Sequence, residues 1–454
     1  MQPQNGTQSQ PTRRQFVKTS TAAAVAAAGA SSLVVPRGAY AAENNTIKIG
    51  LVGCGGRGSG AAVNACHADE HTVLWAVCDL FPDRLTDALA GLKQELNGQQ
   101  GAKGQVLNQV DVPKERQFIG FDGYKGVIES CDVVLLATTP HFRPMQLEAV
   151  IRAGKHCFCE KPVAVDPTGV RRVLEVAKLA KEKNLSLVSG LCYRYDQSKI
   201  DVINKIHDGA VGDIRALEHN YLTGGLWTRP RQPKWSDMEF QIRNWLYFYW
   251  LSGDHIVEQH IHSLDKMMWI MKDVPPTRVI ATGGRIQRTA PQYGNVYDHF
   301  NTIFEWDEKG QKAPKTRAFT NCRQYVNCNG DVSDWVYGSD GIASVQADAP
   351  FITGKNPAKI RPSKINMYDA EHIALFKSIR KNQPINNGVY MSQSTLAAIM
   401  ARMSAYSGKV ITWAEAMHDQ TSYTLPKYAF GPHAVDPVVV PGEANKVGAP
   451  PVHV

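Results

Sequence analysis

The sequence predicts an α/β domain with a parallel sheet, followed by an α+β domain with a large, mostly antiparallel sheet. Three observations predict this fold class. Between residues 46 and 165, continuous apolar strands alternate with helical patterns, which is typical of a parallel sheet covered on both faces. Strand-like segments then recur without intervening helices from residue 214 to residue 346. Two late helical patterns, at 369–381 and 392–407, are expected to pack against this second sheet.

The first domain, assigned to residues 46–165, begins with a buried strand at 47–52. Further strands are predicted at 72–78, 132–137 and 156–159, and the helices between them at 61–66, 82–96 and 144–153. The polar stretch 97–109, rich in Gly and Gln, is predicted to be a surface loop.

The second domain, assigned to residues 166–424, is predicted to start with a helix at 168–183 and a strand at 185–190. The strands of its sheet are predicted at 214–222, 277–288, 297–306, 316–327 and 342–346. The Pro- and Gly-rich end, residues 425–454, is expected to form an extended arm.

The composition is that of a globular protein, because 43% of the residues are hydrophobic and 20% are charged. No stretch of about 18 strongly apolar residues occurs, which excludes a multi-spanning membrane protein. The net charge is +8, but four basic residues lie in the first 41 residues, which contain no acid. Because the remaining charge is small and diffuse, we expect a small-molecule partner and no nucleic acid.

The first 41 residues have the pattern of an export signal. The segment 12–18, Thr-Arg-Arg-Gln-Phe-Val-Lys, precedes an Ala-rich run at 19–35 and the small-x-small triplet Ala39-Tyr40-Ala41. This pattern resembles a bacterial twin-arginine (Tat) signal, whose pathway moves proteins that are already folded, often with a cofactor bound. We therefore expect cleavage after Ala41, a periplasmic or other extracytoplasmic location, and no membrane contact after signal removal.

The nine cysteines favour reduced thiols over a disulfide set. Most of them lie in or beside apolar strand patterns, where a free cysteine acts as a small buried hydrophobe, and their number is odd. The spacing of Cys322 and Cys328 leaves a short disulfide loop open as an alternative.

A glycine cluster directly after the first strand predicts a dinucleotide site. Gly53-Cys54-Gly55-Gly56-Arg57-Gly58 contains G-x-G-x-x-G and opens a helix, as in a Rossmann domain. Asp79 ends the next strand, where a carboxylate accepts hydrogen bonds from the adenosine ribose and repels a 2′-phosphate. NAD is therefore favoured over NADP. Arg57 is predicted either to stack near the adenine or to be solvated.

Two further segments at the same sheet edge identify a family. Glu160-Lys161-Pro162 follows a strand and Gly154-Lys155-His156, and the preceding strand ends in Ala137-Thr138-Thr139-Pro140-His141. These segments resemble the glucose-fructose oxidoreductase, inositol dehydrogenase and rhizopine-catabolism (Gfo/Idh/MocA) family, over residues 46 to about 165 and more loosely to about 415.

The resemblance implies that Lys161 is catalytic. A lysine at the carboxyl edge of a parallel sheet is placed to stabilise a developing alkoxide, although a solvated surface lysine is the alternative. Thr138, Pro140, His141 and Glu160 are assigned with Lys161 to the cofactor-binding edge.

The segment 253–265 is expected to supply the second half of the site. The family pattern is a helix with an Asp, a His four residues later and another Asp three further on; this chain matches at His262 and Asp265 but has Glu258 in the first position. On one continuous helix, His255, Glu258, His262 and Asp265 share a face. In the favoured interpretation His262 is the general base and Glu258 positions substrate or tunes His262. In the alternative, His255, Glu258 and His262 bind zinc.

An aromatic segment between these motifs, residues 221–250, holds four of the nine tryptophans. Flat aromatic faces suit sugar rings, but such residues are more often core or interface. The substrate candidates are Tyr193, Arg194, Arg243, Trp245 and His255.

The function expected from these features is an exported oxidoreductase that moves a hydride between a sugar or polyol carbon and tightly bound NAD. The family also includes relatives of NAD-dependent glycoside hydrolases, which oxidise transiently and eliminate the glycoside with no net redox change. A sugar-binding protein that keeps NAD structurally is the non-enzymatic alternative. A homodimer or homotetramer is expected.

Overall fold

The computed structural model describes residues 45–345 and 349–443, so the predicted export signal lies outside the described residues. Two sheets organise this part of the chain, and the predicted fold class is confirmed. The first is a six-stranded, fully parallel sheet in the order β5-β2-β1-β6-β7-β8. Its strands are β1 Ile47–Val52, β2 Thr72–Asp79, β5 Gln117–Ile119, β6 Val133–Leu136, β7 His156–Cys159 and β8 Leu187–Ser189.

Helices cover both faces of this sheet. Apolar side chains from strands and helices pack into two clusters, one on each face, as the near-continuous apolar strands predict. The helices on these faces are Gly56–His67, Pro82–Leu96, Gly123–Ser130, Arg143–Arg152 and Pro167–Glu182, together with Met367–Arg380 from late in the chain. Because Leu375, Phe376 and Ile379 pack on the first sheet, the prediction that the helix at 369–381 packs against the second sheet was wrong.

The stretch 97–109 is not a plain loop, so that prediction was wrong. Asn97–Gln100 (β3) and Val106–Asn108 (β4) form a two-stranded antiparallel hairpin. Its strands are only four and three residues long and mostly exposed, so they carry no hydrophobic alternation that a sequence pattern can detect.

The second sheet has nine strands in the order β16-β15-β14-β13-β9-β12-β11-β10-β17. All neighbours are antiparallel except β9 and β12. The strands are β9 Ile214–Thr223, β10 Arg278–Gly284, β11 His299–Asp307, β12 Pro314–Gln324, β13 Asp331–Gly338, β14 Gly341–Ser344, β15 Phe351–Gly354, β16 Ala358–Lys359 and β17 Ile411–Thr412.

One face of this sheet packs on helices and forms the largest apolar cluster of the described chain. The long helix Gly388–Ser407 lies between the two domains, in contact with helix Pro167–Glu182 and strand β10. The other helices of this part of the chain are Gln197–His207, Asp237–Arg243, Tyr249–Ser252, His255–Glu258, Ile261–Ile270 and Trp413–His418. Short 3-10 turns occur at Lys114–Arg116, Pro140–Phe142, Cys192–Tyr195, Trp245–Tyr247 and Pro291–Tyr293.

The arm, as far as residue 443, contains neither helix nor strand and lies against both domains. Tyr428 bonds to His141 of the first domain at 2.7 Å, and Asp436 accepts from Tyr249 of the second at 2.6 Å. The arm therefore joins the two domains on the side where the parallel strands end.

All nine cysteines are free thiols in the structure. Cys322 is buried in β12 whereas Cys328 is exposed, so the alternative of a loop disulfide between them is not realised. None of the helices that the structure describes is both long and apolar enough to cross a membrane.

Candidate active site

A cavity of about 480 Å³ lies along the carboxyl ends of the parallel strands. This edge is where open α/β sheets bind ligands. The lining comes from the ends of β1, β2, β6 and β7 and from the second domain, which contributes Trp227, Arg229, Ile242, Trp245, Glu258, His262 and Tyr368.

The glycine turn after β1 forms the floor of the cavity. Gly53 has φ +98, and a Cβ there would lie 2.7 Å from the carbonyl carbon of Ala137. A Cβ at Gly58 would lie 1.8 Å from the carbonyl oxygen of Gly53, so only glycine allows the helix to pack this closely on the strand. At Gly56 no atom lies within 4 Å of the position a Cβ would take. The turn thus leaves an open cradle at the start of helix Gly56–His67, whose first turn holds no acidic residue. A helix start of this kind suits a pyrophosphate.

Asp79, at the end of β2, lines the same cavity. Its two carboxylate oxygens accept from the backbone N–H groups of Cys54 at 2.7 Å and Phe81 at 2.9 Å, which ties the glycine turn to the next strand. Burial raises the pKa of Asp79, while these backbone hydrogen bonds oppose the shift. Arg84 extends over the turn, since a Cβ at Gly55 would lie 3.8 Å from its Nη1 atom.

Arg57 lines the cavity but takes neither of the two predicted positions. Its Nε donates to Glu160 Oε1 at 2.5 Å, and its guanidinium carbon lies 4.8 Å from the Tyr368 ring centre. Glu160 also accepts from the backbone N–H of Lys161 at 3.0 Å. Arg57 therefore connects the glycine turn to the segment that carries the candidate catalytic lysine.

Lys161, Glu258 and His262 meet at one end of the cavity. The Lys161 Nζ atom donates to the backbone oxygen of Glu258 at 2.7 Å and to Glu258 Oε1 at 3.2 Å. The His262 Nδ1 atom is buried with no hydrogen-bond partner among the described residues. Burial, and after it the Lys161 ammonium, holds the pKa of His262 well below its usual range. This end thus combines a fixed ammonium with an uncharged imidazole.

The predicted continuous helix at 253–265 is wrong. The first helix of this segment ends at Glu258, and a second helix begins at Ile261. Between them the His260 N–H donates to the His255 carbonyl oxygen at 3.0 Å, five residues back instead of four, which interrupts the regular α-helical pattern. Because of this break, His255 points into the core, where its Nδ1 lies 3.1 Å from Asp254 Oδ1. His255 lies outside the cavity lining, and no group of three or more potential metal ligands converges within the described residues. The zinc alternative therefore lacks a donor set.

Asp254, which the motif analysis did not single out, positions this segment. It has φ +72, which is unusual for a residue other than glycine, and its carboxylate accepts from the backbone N–H groups of His255 and Tyr297 and from the Tyr406 hydroxyl at 2.6 to 2.8 Å. No local sequence signal reveals this role, because two of these partners lie more than 40 residues away.

Several predicted site residues lie elsewhere. Arg194 is paired with Asp265 at 2.9 Å and with Asp273 at 2.6 Å, so neither Arg194 nor Asp265 faces the cavity. Tyr193 contacts His262 from behind, with ring centres 5.5 Å apart. His141 is buried under the arm, and like Pro140 it lies outside the cavity lining, whereas Thr138 lies within it.

Part of the aromatic segment lies over the Asp79 end of the cavity. Arg243 pairs with Asp83 at 2.9 Å, and its guanidinium lies 3.8 Å from the Phe81 ring centre, next to Asp79. The cavity-lining residues Trp227 and Trp245 lie 6.3 Å apart, ring centre to ring centre, in the same cover. Arg243 itself makes no part of the lining, so the prediction that this residue contacts substrate is not supported by its position.

A comparison with protein families identifies the first domain. The model described as "Oxidoreductase family, NAD-binding Rossmann fold" (GFO_IDH_MocA) matches residues 47–190. The glycine turn, Asp79 and Lys161 all lie within the residues that this family model matches.

Curated relatives share part of their length with this chain. A glycosyl hydrolase family 109 protein of Shewanella pealeana is 26% identical over 43% of this chain and 39% of its own length. A 2,7-anhydro-N-acetylneuraminate hydratase of Escherichia coli is 26% identical over 42% of this chain and 47% of its own length. The chain thus spans less than half of these relatives. An inositol 2-dehydrogenase of Rhizobium meliloti is 25% identical over 67% of this chain and 77% of its own length.

Solved structures extend the similarity in fold beyond the Gfo/Idh/MocA domain. Aldose-aldose oxidoreductase from Caulobacter crescentus, complexed with glycerol, aligns with a TM-score of 0.61 and 19% identity over 81% of this chain and 100% of its own. A levoglucosan dehydrogenase in complex with NADH and levoglucosan aligns with a TM-score of 0.60 and 16% identity over 81% of this chain and 99% of its own. Both domains of the described chain therefore have the fold of these structures.

Proposed function

We propose that this protein is an NAD-dependent oxidoreductase that removes a hydride from a hydroxyl-bearing carbon of a sugar or polyol. The observation that carries the proposal is the convergence of Lys161 and His262 at one end of a cavity whose other end holds the glycine turn and Asp79. The open cradle at Gly56 fits a pyrophosphate, and the Asp79 carboxylate suits a ribose without a 2′-phosphate.

The residues at the Lys161 end have separate roles in the proposed reaction. NAD, when bound, supplies the hydride acceptor. His262 is uncharged and takes the proton of the substrate hydroxyl, while the Lys161 ammonium stabilises the alkoxide that develops on the same oxygen. Glu258 holds the Lys161 ammonium in place through two hydrogen bonds.

The test is a panel of aldoses, polyols and inositols mixed with the purified protein, with nicotinamide reduction followed by absorbance. We expect reduction with at least one substrate and its loss in His262→Asn. Lys161→Met should also lower the rate of reduction. Its matched control is Lys125→Met, a change at an exposed lysine, which should leave the rate unchanged. Sugar binding that persists with no reduction, and that His262→Asn does not alter, contradicts the proposal and favours the non-enzymatic alternative.

A second candidate is a glycoside hydrolase that oxidises its sugar transiently and returns the hydride. The similarity to glycosyl hydrolase family 109 proteins favours its inclusion. Release of nitrophenol from a panel of nitrophenyl glycosides without NADH accumulation selects this candidate. Steady formation of NADH or of a keto sugar selects the net oxidoreductase.

We further propose that the cofactor stays bound through many turnovers. The cover formed by Trp227, Trp245 and the Arg243–Asp83 pair lies over the Asp79 end, and Phe430 of the arm stacks on Phe81 at 5.9 Å between ring centres. A retained cofactor suits a protein that works outside the cytoplasm, where no NAD pool replaces a lost molecule. Reoxidation then occurs in the same site, by a second sugar substrate.

Export itself is proposed from the twin-arginine pattern of residues 12–18. Replacing Arg13 and Arg14 by lysine should retain the protein in the cytoplasm, as fractionation of cells would show. A protein that is exported equally with both substitutions contradicts this proposal.

Assembly into a homodimer or homotetramer is proposed from the open face of the second sheet. Ile280, Phe319 and Ile342 are exposed on this face, which suits burial against a second copy. Light scattering should give a mass of at least two chains, and Phe319→Glu should reduce it to that of a monomer.

A further inference from the structure

A second polar cluster lies behind His262, away from the cavity. Helix Ile261–Ile270 places Lys266 one turn after His262, on the same helix face. Lys266 is only 2% exposed, and its ammonium forms an ion pair with Asp334 of strand β13, which is 1% exposed. A lysine and an aspartate buried to this degree are costly unless they are paired.

The cluster is anchored in the second sheet. His219 of β9 donates from Nδ1 to the other Asp334 oxygen, Oδ1, at 2.8 Å, which fixes the carboxylate. His260 is fully buried nearby with neither ring nitrogen hydrogen-bonded among the described residues, and burial lowers its pKa to about 3. Since His260 is uncharged, Lys266 remains the cation that balances Asp334.

Tyr193 connects this cluster to His262. The Lys266 ammonium lies 4.3 Å from the centre of the Tyr193 ring. The Tyr193 and His262 rings meet edge to face, with their centres 5.5 Å apart. An ammonium on an aromatic ring in a dry interior is held firmly in position. The cation therefore sits at a fixed place one side chain away from the imidazole.

We propose that Lys266 is a positioning residue, whose buried ammonium acts across Tyr193 to keep His262 uncharged and ready to accept the substrate proton. This inference rests on the proposed role of His262 as general base. Lys266 touches neither cavity nor substrate, and it complements Lys161, which faces the same imidazole from the cavity side.

The charges around His262 support this direction. After burial, the Lys161 and Lys266 ammonium groups lower the pKa of His262, Asp334 opposes them, and Arg57 adds a smaller lowering effect. Glu258, which lines the cavity beside His262, is held by Lys161. Because Lys266 acts more strongly than Asp334, removal of its charge should allow His262 to take up a proton at a higher pH.

The experiment is a pH titration of isotope-labelled histidine by NMR in the NAD-loaded protein, with the His262 signal assigned by its loss in His262→Asn. Lys266→Met is expected to raise the titration midpoint of His262 by about one pH unit, and Lys266→Arg is expected to restore it. The acid limb of the pH–rate profile should move in the same direction.

Two variants keep the test decisive. Lys199→Met removes another fully buried lysine, so it controls for a loss of packing and should leave the His262 midpoint unchanged. If Lys266→Met does not fold, the pair Lys266→Met with Asp334→Asn leaves no unpaired buried charge, and a smaller upward shift is expected.

An unchanged His262 midpoint in the folded variants overturns the inference. A midpoint that moves as expected while no sugar or polyol reduces the bound NAD overturns the proposed function and leaves the effect of Lys266 on His262 established. The two failures are therefore distinguishable.

Discussion

The two ends of the cavity are built differently. At the Asp79 end, aromatic and cationic side chains from a separate domain and from the arm lie over the strand ends, and Trp227 remains 42% exposed. At the Lys161 end, hydrogen bonds fix the Lys161 backbone N–H to the Glu160 carboxylate and the Lys161 ammonium to Glu258, and His262 is half-buried. The proposed function assigns retention of the cofactor to the first of these ends, and proton and hydride transfer to the second.

The largest expected effect is at Lys161. Lys161→Met removes the ammonium that stabilises the alkoxide and should lower the rate of nicotinamide reduction by about 10³-fold, within the range of general acid–base groups. The NAD content after purification should be unchanged, because Lys161 lies away from the cover. Loss of both the rate of reduction and the bound NAD would contradict the assignment of separate roles to the two ends of the cavity.

The cover at the other end is tested by Trp227→Ala. We expect bound NAD to dissociate about tenfold faster, while the rate of reduction per bound NAD stays the same, because loss of one aromatic contact is worth about 1 kcal/mol or slightly more. Ile286→Ala, at another exposed apolar residue, serves as the control. A raised KM for the sugar with normal NAD retention would instead place Trp227 at the substrate.

The smallest expected effect concerns stability. It tests how burial affects His372, which lies beneath the Arg57–Glu160 pair. His372 is fully buried on helix Met367–Arg380, and burial lowers its pKa to about 4. The unfolded chain binds a proton at this residue below about pH 6.5. Since the folded pKa is the lower one, stability is present above pH 6.5 and falls as the pH drops toward 4.

Chemical unfolding at pH 6.5 and pH 5.5 measures this contribution. His372→Gln should reduce the loss of unfolding free energy between these two pH values by about 1 kcal/mol. His67→Gln, at an exposed histidine, should reduce it very little. Equal pH dependence in the wild type and in His372→Gln would show that His372 is already charged in the folded protein.

Local patterns were sufficient to predict the central strands of the first domain, but strand β5 and helix Gly123–Ser130 were missed. Strand β1, the glycine turn and Asp79 are set by neighbours within about 30 residues, so periodicity and spacing predict them. The pairings that organise the site involve distant residues: Arg57 meets Glu160 across 103 positions and Arg243 meets Asp83 across 160. No single-sequence pattern encodes such pairs, and therefore the ion pairs of Arg57 and Arg243 were not predicted.

Buried charge explains another miss. Strand β13 was not predicted, because Asp334 interrupts its apolar alternation on the side facing the core. Asp334, which makes strand β13 hard to recognise in the sequence, is the partner of Lys266 and His219. A local pattern fails here because the polar group is satisfied only by tertiary contacts.

The cavity is proposed to hold NAD with its adenosine half under the cover. Mass spectrometry of the supernatant from denatured protein, purified without added NAD, shows whether a dinucleotide is retained. We expect close to one NAD or NADH per chain in the wild type and in Lys161→Met, and much less in Trp227→Ala. A wild-type supernatant without dinucleotide, from protein that needs added NAD for every turnover, would contradict it.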